Sequence, residues 1–250
     1  MPDPQAALPA MPREDDVDPD SLVPPKDDRA RRVLLLGGIG LAAYLAALIM
    51  TIPASLVLST PAAGTLWRGT ALLDADNRLE WRWAPLRSLL ALGFAVDWRI
   101  EGPASAIAGR ALLRPGSRSV DDVSGIVDGA LLQRLGGWSF ACAMPLQVDL
   151  KQARIGGRDQ RLEGAIRSDA GLCQASGGAA AVAVPALSLT LRQTSGLAVI
   201  NLSAAGRIRH PLVVGGLSSD GHLRLIVTRE GAVVLPFVSP AGGAKIETDF

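Results

Sequence analysis

Beyond residue 64 the chain alternates apolar and polar residues over short stretches, parted by Gly, Pro, Asp and Asn. In "RLEWRWAPL", Leu79, Trp81 and Trp83 fall on one side and Arg78, Glu80 and Arg82 on the other. "GFAVDWRIEG" sets Phe94, Val96, Trp98 and Ile100 against Ala95, Asp97, Arg99 and Glu101. The same period of two recurs in "PLQVDLKQ" (Leu146, Val148, Leu150), "ALSLTLRQ" (Leu187, Leu189, Leu191) and "HLRLIVTRE" (Leu223, Leu225, Val227). Successive side chains of a strand point to opposite faces, so this alternation predicts strands with one dry and one wet face. Such faces belong to antiparallel sheets. "SSDGH" at 218–222 carries the Asp-Gly pair of a tight hairpin turn. Helical signals are two: "PLRSLLAL" (85–92), which starts with a proline, and "VDGALLQRLGG" (127–137), with Leu131, Leu132 and Leu135 on one side and a Gly-Gly stop.

A different pattern precedes these strands. Val33 to Met50, "VLLLGGIGLAAYLAALIM", contains no charge, and the next charged residue is Arg68. About twenty apolar residues suffice to cross a bilayer, which predicts an anchor over residues 33–54. A cleavable signal peptide competes, with "STPAAG" as its cleavage site. The long acidic leader and the length of the apolar run favour an uncleaved helix. Lys26, Arg29, Arg31 and Arg32 crowd its entry side. The positive-inside rule then leaves the N-terminus in the cytoplasm and carries the rest across. Gly38, Ala42 and Ala46 form a small-residue stripe that suits close helix packing.

The leader, residues 1–32, is rich in Pro and Asp and short of bulky apolar residues, so it is expected to be disordered. It reads either as a docking tail for a cytoplasmic partner or as a solvated leader. The expected organisation is a tail (1–32), an anchor (33–54), a β domain (64–235) and a C-terminal tail (236–250). The fold class is mainly β: one transmembrane helix, then a curved, mostly antiparallel sheet with one or two short helices.

Composition narrows the function classes. A net charge of +1 gives no reason to expect nucleic acid. With 48% apolar residues the chain can fill a substantial core. Cys142 and Cys173 lie either side of the strand-like "RLEGAIRS", and in an oxidising compartment they are expected to pair; two buried thiols are the alternative. His210 and His222 have no ligand spacing, and no HExxH, GxSxG, Walker A or CxxC motif occurs. Asp121 and Asp122 are adjacent and read as turn or cap residues rather than an acid–base pair. No catalytic, metal or cofactor residue is therefore assigned, and an enzyme is not expected. Trp67 suits a membrane interface, while Trp81, Trp83 and Trp98 read as core. An open apolar stripe of this kind would bind lipid or a partner protein.

"PAAGTLWRGTALL", followed by "LEWRWAPLRSLLALGFAVDWRIEG", resembles the type II secretion system protein N (GspN) family. That family has a membrane anchor, a Gly-Thr-Leu-Trp-x-Gly segment and a Trp-containing strand with a Pro-Leu turn. The matching positions are Gly64, Thr65, Leu66, Trp67 and Gly69, then Trp81, Trp83, Pro85 and Leu86. "LEGAIRSDAGLCQ" (162–174) and "DGHLRLIVTREG" resemble its second half, with Ser168–Asp169 where such proteins often place a tryptophan. The resemblance covers about residues 33–235. It implies an accessory, single-pass inner-membrane subunit of the secretion machine with its C-terminal domain in the periplasm. Its partners would be other inner-membrane and periplasmic secretion subunits, with no cofactor and no catalytic residues. A periplasmic lipid-binding or lipid-transfer protein with an apolar β-groove is the alternative.

Overall fold

The computed structural model describes residues 28–56, 61–136, 139–156, 160–175, 180–238 and 245–249. The expected leader lies outside these residues up to position 27, and residues 28–32 are already helical. The chain divides into two compact units, residues 1–49 and 50–250.

In the first unit, helix α1 spans Asp28–Met50. Its stretch Arg31–Met50 has a mean hydropathy of 2.4 and none of it is buried, so it is long and apolar enough to cross a membrane. It ends earlier than residue 54, because Pro53 disfavours a helical residue before it and lacks a donor of its own. Instead Ala54–Leu56 form a short 3-10 turn with Ala54 fully buried. Gly38, Ala42 and Ala46 recur one turn apart along α1, and a Cβ added at Gly38 would meet nothing within 4 Å.

The second unit is strand-rich. Its first six strands are β1 (Ala62–Gly64), β2 (Arg68–Leu72), β3 (Arg78–Trp83), β4 (Phe94–Gly102), β5 (Ser105–Arg114) and β6 (Ser117–Asp128). Then come β7 (Phe140–Ala143), β8 (Pro145–Ile155), β9 (Arg161–Ser168), β10 (Gly171–Ala175) and β11 (Val182–Val184). The last five are β12 (Leu187–Thr194), β13 (Leu197–Ala204), β14 (Pro211–Leu217), β15 (His222–Val227) and β16 (Lys245–Asp249). Thirteen of them form one antiparallel sheet in chain order, with only β7, β10 and β11 left out. Those three make a small sheet of their own, in the order β11-β10-β7. The last strand, β16, pairs with β15 inside the stretch expected to be a C-terminal tail.

Register explains why the alternation was so regular. One cross-strand row begins Ala71–Leu79–Ile100–Ile107 and ends Leu202–Val213–Val227. Between those ends it passes through Gly125, Val148, Ile166 and Leu189, so one face stays apolar across eleven strands. The other face carries charge: Arg99 pairs with Glu80 at 2.7 Å and Lys151 with Glu163 at 2.8 Å. Exposed pairs of this kind contribute little stability. Their role is to keep that face wet.

Three short helices complete the unit. Helix α2 (Pro85–Ala91) follows β3, and α3 (Gly129–Gly136) follows β6 as the patterning predicts. Of the three leucines expected on one side of α3, Leu131 is buried while Leu135 faces solvent. Helix α4 (Arg229–Val234) was not expected; Thr228 caps it by accepting the Gly231 N–H. Asp121 and Asp122 are neither turn nor cap residues but lie inside β6, at a bulge opposite Gly109. Asp122 takes the left-handed conformation there (φ 50°), which a short polar side chain tolerates, and forms an ion pair with Arg110.

The β2–β3 turn is closed by Asp74. Its carboxylate accepts N–H bonds from Asp76 (2.9 Å) and Asn77 (2.7 Å), and it forms an ion pair with Arg134 of α3. The Asp76 amide first, then the Asn77 side chain, hold this carboxyl below its ordinary value of 3.8. A lowered folded-state pKa means that Asp74 contributes fully above that ordinary value, and the contribution fades as pH falls through the folded one. Amide exchange in the β2–β3 hairpin is therefore expected to quicken on acidification below about pH 4. An Asp74→Asn variant should exchange faster already at neutral pH, with a weaker acid response.

Candidate functional site

Gly64, Thr65, Leu66, Trp67, Gly69, Trp81 and Trp83, which carry the first part of the family resemblance, form one joint at an end of the sheet. Gly64 and Gly69 face each other across the β1–β2 pair, and Thr65, Leu66 and Trp67 make the loop between them. Gly64 sits at φ 95°, and a Cβ there would lie 2.6 Å from the Arg68 carbonyl. A Cβ on Gly69 would lie 2.5 Å from the Trp81 ring and 2.6 Å from the Ala63 carbonyl. The two glycines are thus required by a close backbone approach and by the indole laid across it. The Trp81 Nε1–H donates to the Leu66 carbonyl at 3.0 Å, which fixes the ring. Trp67 meets Trp83 edge-on with ring centres 4.6 Å apart, and Phe94 at 5.6 Å. Trp83 in turn donates to the Ser88 hydroxyl of α2 at 2.8 Å.

This joint also holds the segment that follows α1. The Leu66 N–H donates to the Ile52 carbonyl at 3.0 Å, and Pro53 bridges Thr65. Ile52 comes two residues after the last residue of α1. The motif therefore fastens the first hairpin to the chain where it leaves the apolar helix. Replacing Gly69 by valine is expected to push the indole off the hairpin and cut the Trp81–Leu66 bond. The measurement is tryptophan emission, which should redden, together with a loss of about 1–3 kcal/mol in unfolding free energy from overpacking.

Helix α2 sits beside the joint. Pro85 starts it, as a residue with a preset φ and no donor should. Arg87 reaches back to the sheet, donating to the carbonyls of Val96 and Ala111 and pairing with Asp97 at 3.1 Å. The Ser88 hydroxyl accepts the Ala95 N–H at 2.9 Å. Leu86, Leu89, Leu90 and Leu92 point away, each between 73% and 86% exposed. Leu92 ends the helix in the left-handed conformation (φ 48°), a state that disfavours a non-glycine residue by about 1–2 kcal/mol.

At the opposite end of the strands lies an apolar cavity of about 230 Å³. Sheet residues Leu146, Ile166, Leu189 and Leu202 line one side, and Phe140, Met144, Leu235 and Phe237 line another. Cys142 and Cys173 stand directly opposite each other on β7 and β10 and are joined as a disulfide in its wall. Ser168 is among its few polar groups, and its hydroxyl accepts the Leu187 N–H at 3.1 Å. An apolar cavity of about 150 Å³ already binds benzene or xenon and stays dry. This one can hold a somewhat larger apolar group.

His210 lies 3.7 Å from Glu230 and His222 3.5 Å from Asp220. Among the described residues no group of three or more His, Cys, Asp or Glu could hold a metal. Reading the sequence did not find Arg87 and Ser88 as the groups that seat α2, nor Phe140, Leu235 and Phe237 as cavity lining. Arg87 had a weak signal, being the one charge in a leucine-rich helix. The phenylalanines had none, since ninety-seven positions separate them and only the fold brings their rings to 5.0 Å.

Fold and site together define a class: one apolar helix, directly followed by an open antiparallel sheet with one apolar face. No family model, curated protein or solved structure matches this chain.

Proposed function

We propose that this chain is an accessory subunit of the type II protein secretion machinery, a non-catalytic interaction module. Helix α1 anchors it in the inner membrane with the N-terminus in the cytoplasm, and the sheet lies in the periplasm. The observation that carries the reading is the joint: Gly64, Leu66, Trp67, Gly69, Trp81, Trp83 and Pro85, which bear the resemblance, meet in one contiguous structure. A single anchor confines the sheet beside the membrane and raises its effective concentration for neighbouring subunits. Among the described strands β1 and β16 end the order of the sheet, and an edge can take a partner's strand through main-chain hydrogen bonds.

The test is site-specific photocrosslinking in living cells from exposed positions such as Arg224 of β15, combined with deletion of the chain. Covalent capture of an identified secretion subunit, with folded cargo retained in the periplasm of the deletion strain, is the expected result. Normal export in that strain, with no secretion subunit captured, overturns the reading.

The apolar cavity favours a second reading, in which the sheet binds lipid and the cavity receives part of an acyl chain. Organic extraction of the purified protein tests it. Near-stoichiometric phospholipid that disappears in a Leu189→Trp variant, which fills the cavity, supports it; extraction of no lipid overturns it.

A further inference from the structure

We propose that helix α2 and the joint beside it lie in the interface of the lipid bilayer that α1 spans, so that the second unit rests on the membrane at this end. The inference rests on α1 being a membrane anchor and is independent of the secretion machinery.

The first ground is the helix itself. Leu86, Leu89 and Leu90 share one face of α2 by their spacing, and Arg87 and Ser88 hold the other against the sheet. Nothing in α2 is buried, and these leucines, like Leu92, are each more than 70% exposed. Leu92 is exposed while occupying a left-handed position that glycine would fill with less strain. A local penalty retained to expose an apolar side chain points to an apolar partner.

The second ground is where the chain puts this helix. A continuous series of contacts leads from Ile52 to Leu66, through Trp67 and Trp83, to Ser88 of α2. Ile52 lies two residues past α1, so an extended chain keeps it within about 7 Å of the end of that helix. Trp67, Trp83 and Phe94 form an aromatic cluster on this series of contacts, and indole rings prefer the headgroup level of a bilayer.

The third ground is charge. At this end of strands β1 to β13, the terminal two residues of each strand and the described loops contain no carboxylate; Asp220, in the turn between β14 and β15, lies at the same end of the sheet. Those strand ends and loops do contain Arg68, Arg82, Arg114, Arg118, Arg154 and Arg161. The other end carries both signs, with Asp74, Asp76, Glu101, Asp128 and Asp169 beside Arg78, Arg167, Arg207 and Arg209. The part of this end around α2, basic and leucine-tipped, matches an anionic lipid surface, where arginines attract the headgroups and an apolar helix face enters the acyl boundary.

The experiment uses the full chain with a nitroxide on one introduced cysteine, leaving the native pair oxidised. Leu90→Cys reports on α2, Leu45→Cys on α1, and Ile208→Cys on the exposed loop at the other end of the sheet. The protein is reconstituted into phosphatidylethanolamine–phosphatidylglycerol vesicles, and relaxation by oxygen is compared with relaxation by a water-soluble nickel chelate. The expected result is an oxygen-to-chelate ratio at position 90 that rises several-fold on reconstitution toward that at 45, while 208 stays at its aqueous value. A lipid-like ratio at 45 with a water-like ratio at 90 overturns this inference alone. A water-like ratio at both overturns the anchor and the inference with it. Protection of position 90 in native membranes but not in vesicles assigns the face to a protein partner and likewise overturns it. In vesicles of phosphatidylcholine alone the ratio at 90 should fall, and an unchanged ratio removes the role given to the arginines.

Discussion

Replacing Cys142 and Cys173 together by alanine is expected to lower the unfolding free energy of the second unit by about 4 kcal/mol. The bridge spans thirty-one positions, and closing a loop of that length removes roughly this much chain entropy from the unfolded ensemble. The loss should concentrate at one place. Residues 140–143 and 171–175 belong to the small sheet, and the bridge joins its two longest strands at directly opposed positions. The thirteen-stranded sheet does not contain either cysteine, so its ladders persist when the bridge is gone. Amide exchange should therefore accelerate first in β7, β10 and β11, and afterwards in the cavity wall they build. Cys173 is 1% exposed and Cys142 7%, so reductant should reach the bridge slowly in the folded protein and fast in denaturant. Equal loss of protection across all strands, or a change below about 1 kcal/mol, would contradict this assignment.

Leu131→Ala is the second large effect, expected at about 2–5 kcal/mol. Leu131 is 2% exposed and is the buried leucine of α3, which enters the core formed with Val123, Val127 and Val148. A helix of eight residues does not persist on its own, so α3 depends on this contact. Its first residue is equally confined: the Gly129 N–H donates to the Met144 carbonyl at 3.0 Å, and a Cβ there would lie 2.4 Å from the Cys142 carbonyl. Loss of Leu131 should free α3, break the Arg134–Asp74 pair and loosen the β2–β3 turn. Leu135→Ala, on the exposed side of the same helix, should change stability by less than about 0.5 kcal/mol. Urea denaturation of the pair of variants separates the two positions. Similar losses in both would mean that α3 is not held as described.

Local periodicity made most of the strands legible. Where apolar and polar residues alternate, as in "GFAVDWRIEG", only an extended chain puts the apolar set on one side, and β4 covers this segment. The same rule found β3, β8, β12 and β15, because each lies in a sheet with one dry face. It failed where the pattern was interrupted. At Asp121–Asp122 the bulge adds a residue, so two adjacent carboxylates looked like a turn although β6 runs through them. Helix α4 is too short for a period to emerge, and its only local sign was a Thr followed by Arg-Glu-Gly. Strand β16 has few apolar residues to mark it and exists through pairing with β15.

The site divides in the same way. The glycines and tryptophans of the joint were visible as residues, yet why Gly69 must be glycine follows only from the Trp81 ring lying on it. By itself the sequence determined one apolar helix, a strand-rich remainder with a dry face, two short helices and two cysteines flanking a strand-like segment. These depend on interactions within about ten residues or on a simple count, and a linear pattern records both. Tertiary structure alone decided that thirteen strands share one sheet while three leave it, that the bridge walls a cavity, and that α2 turns its leucines outward. Those facts arise from pairings and contacts between residues tens of positions apart, for which no local alternation of apolar and polar residues carries a signal.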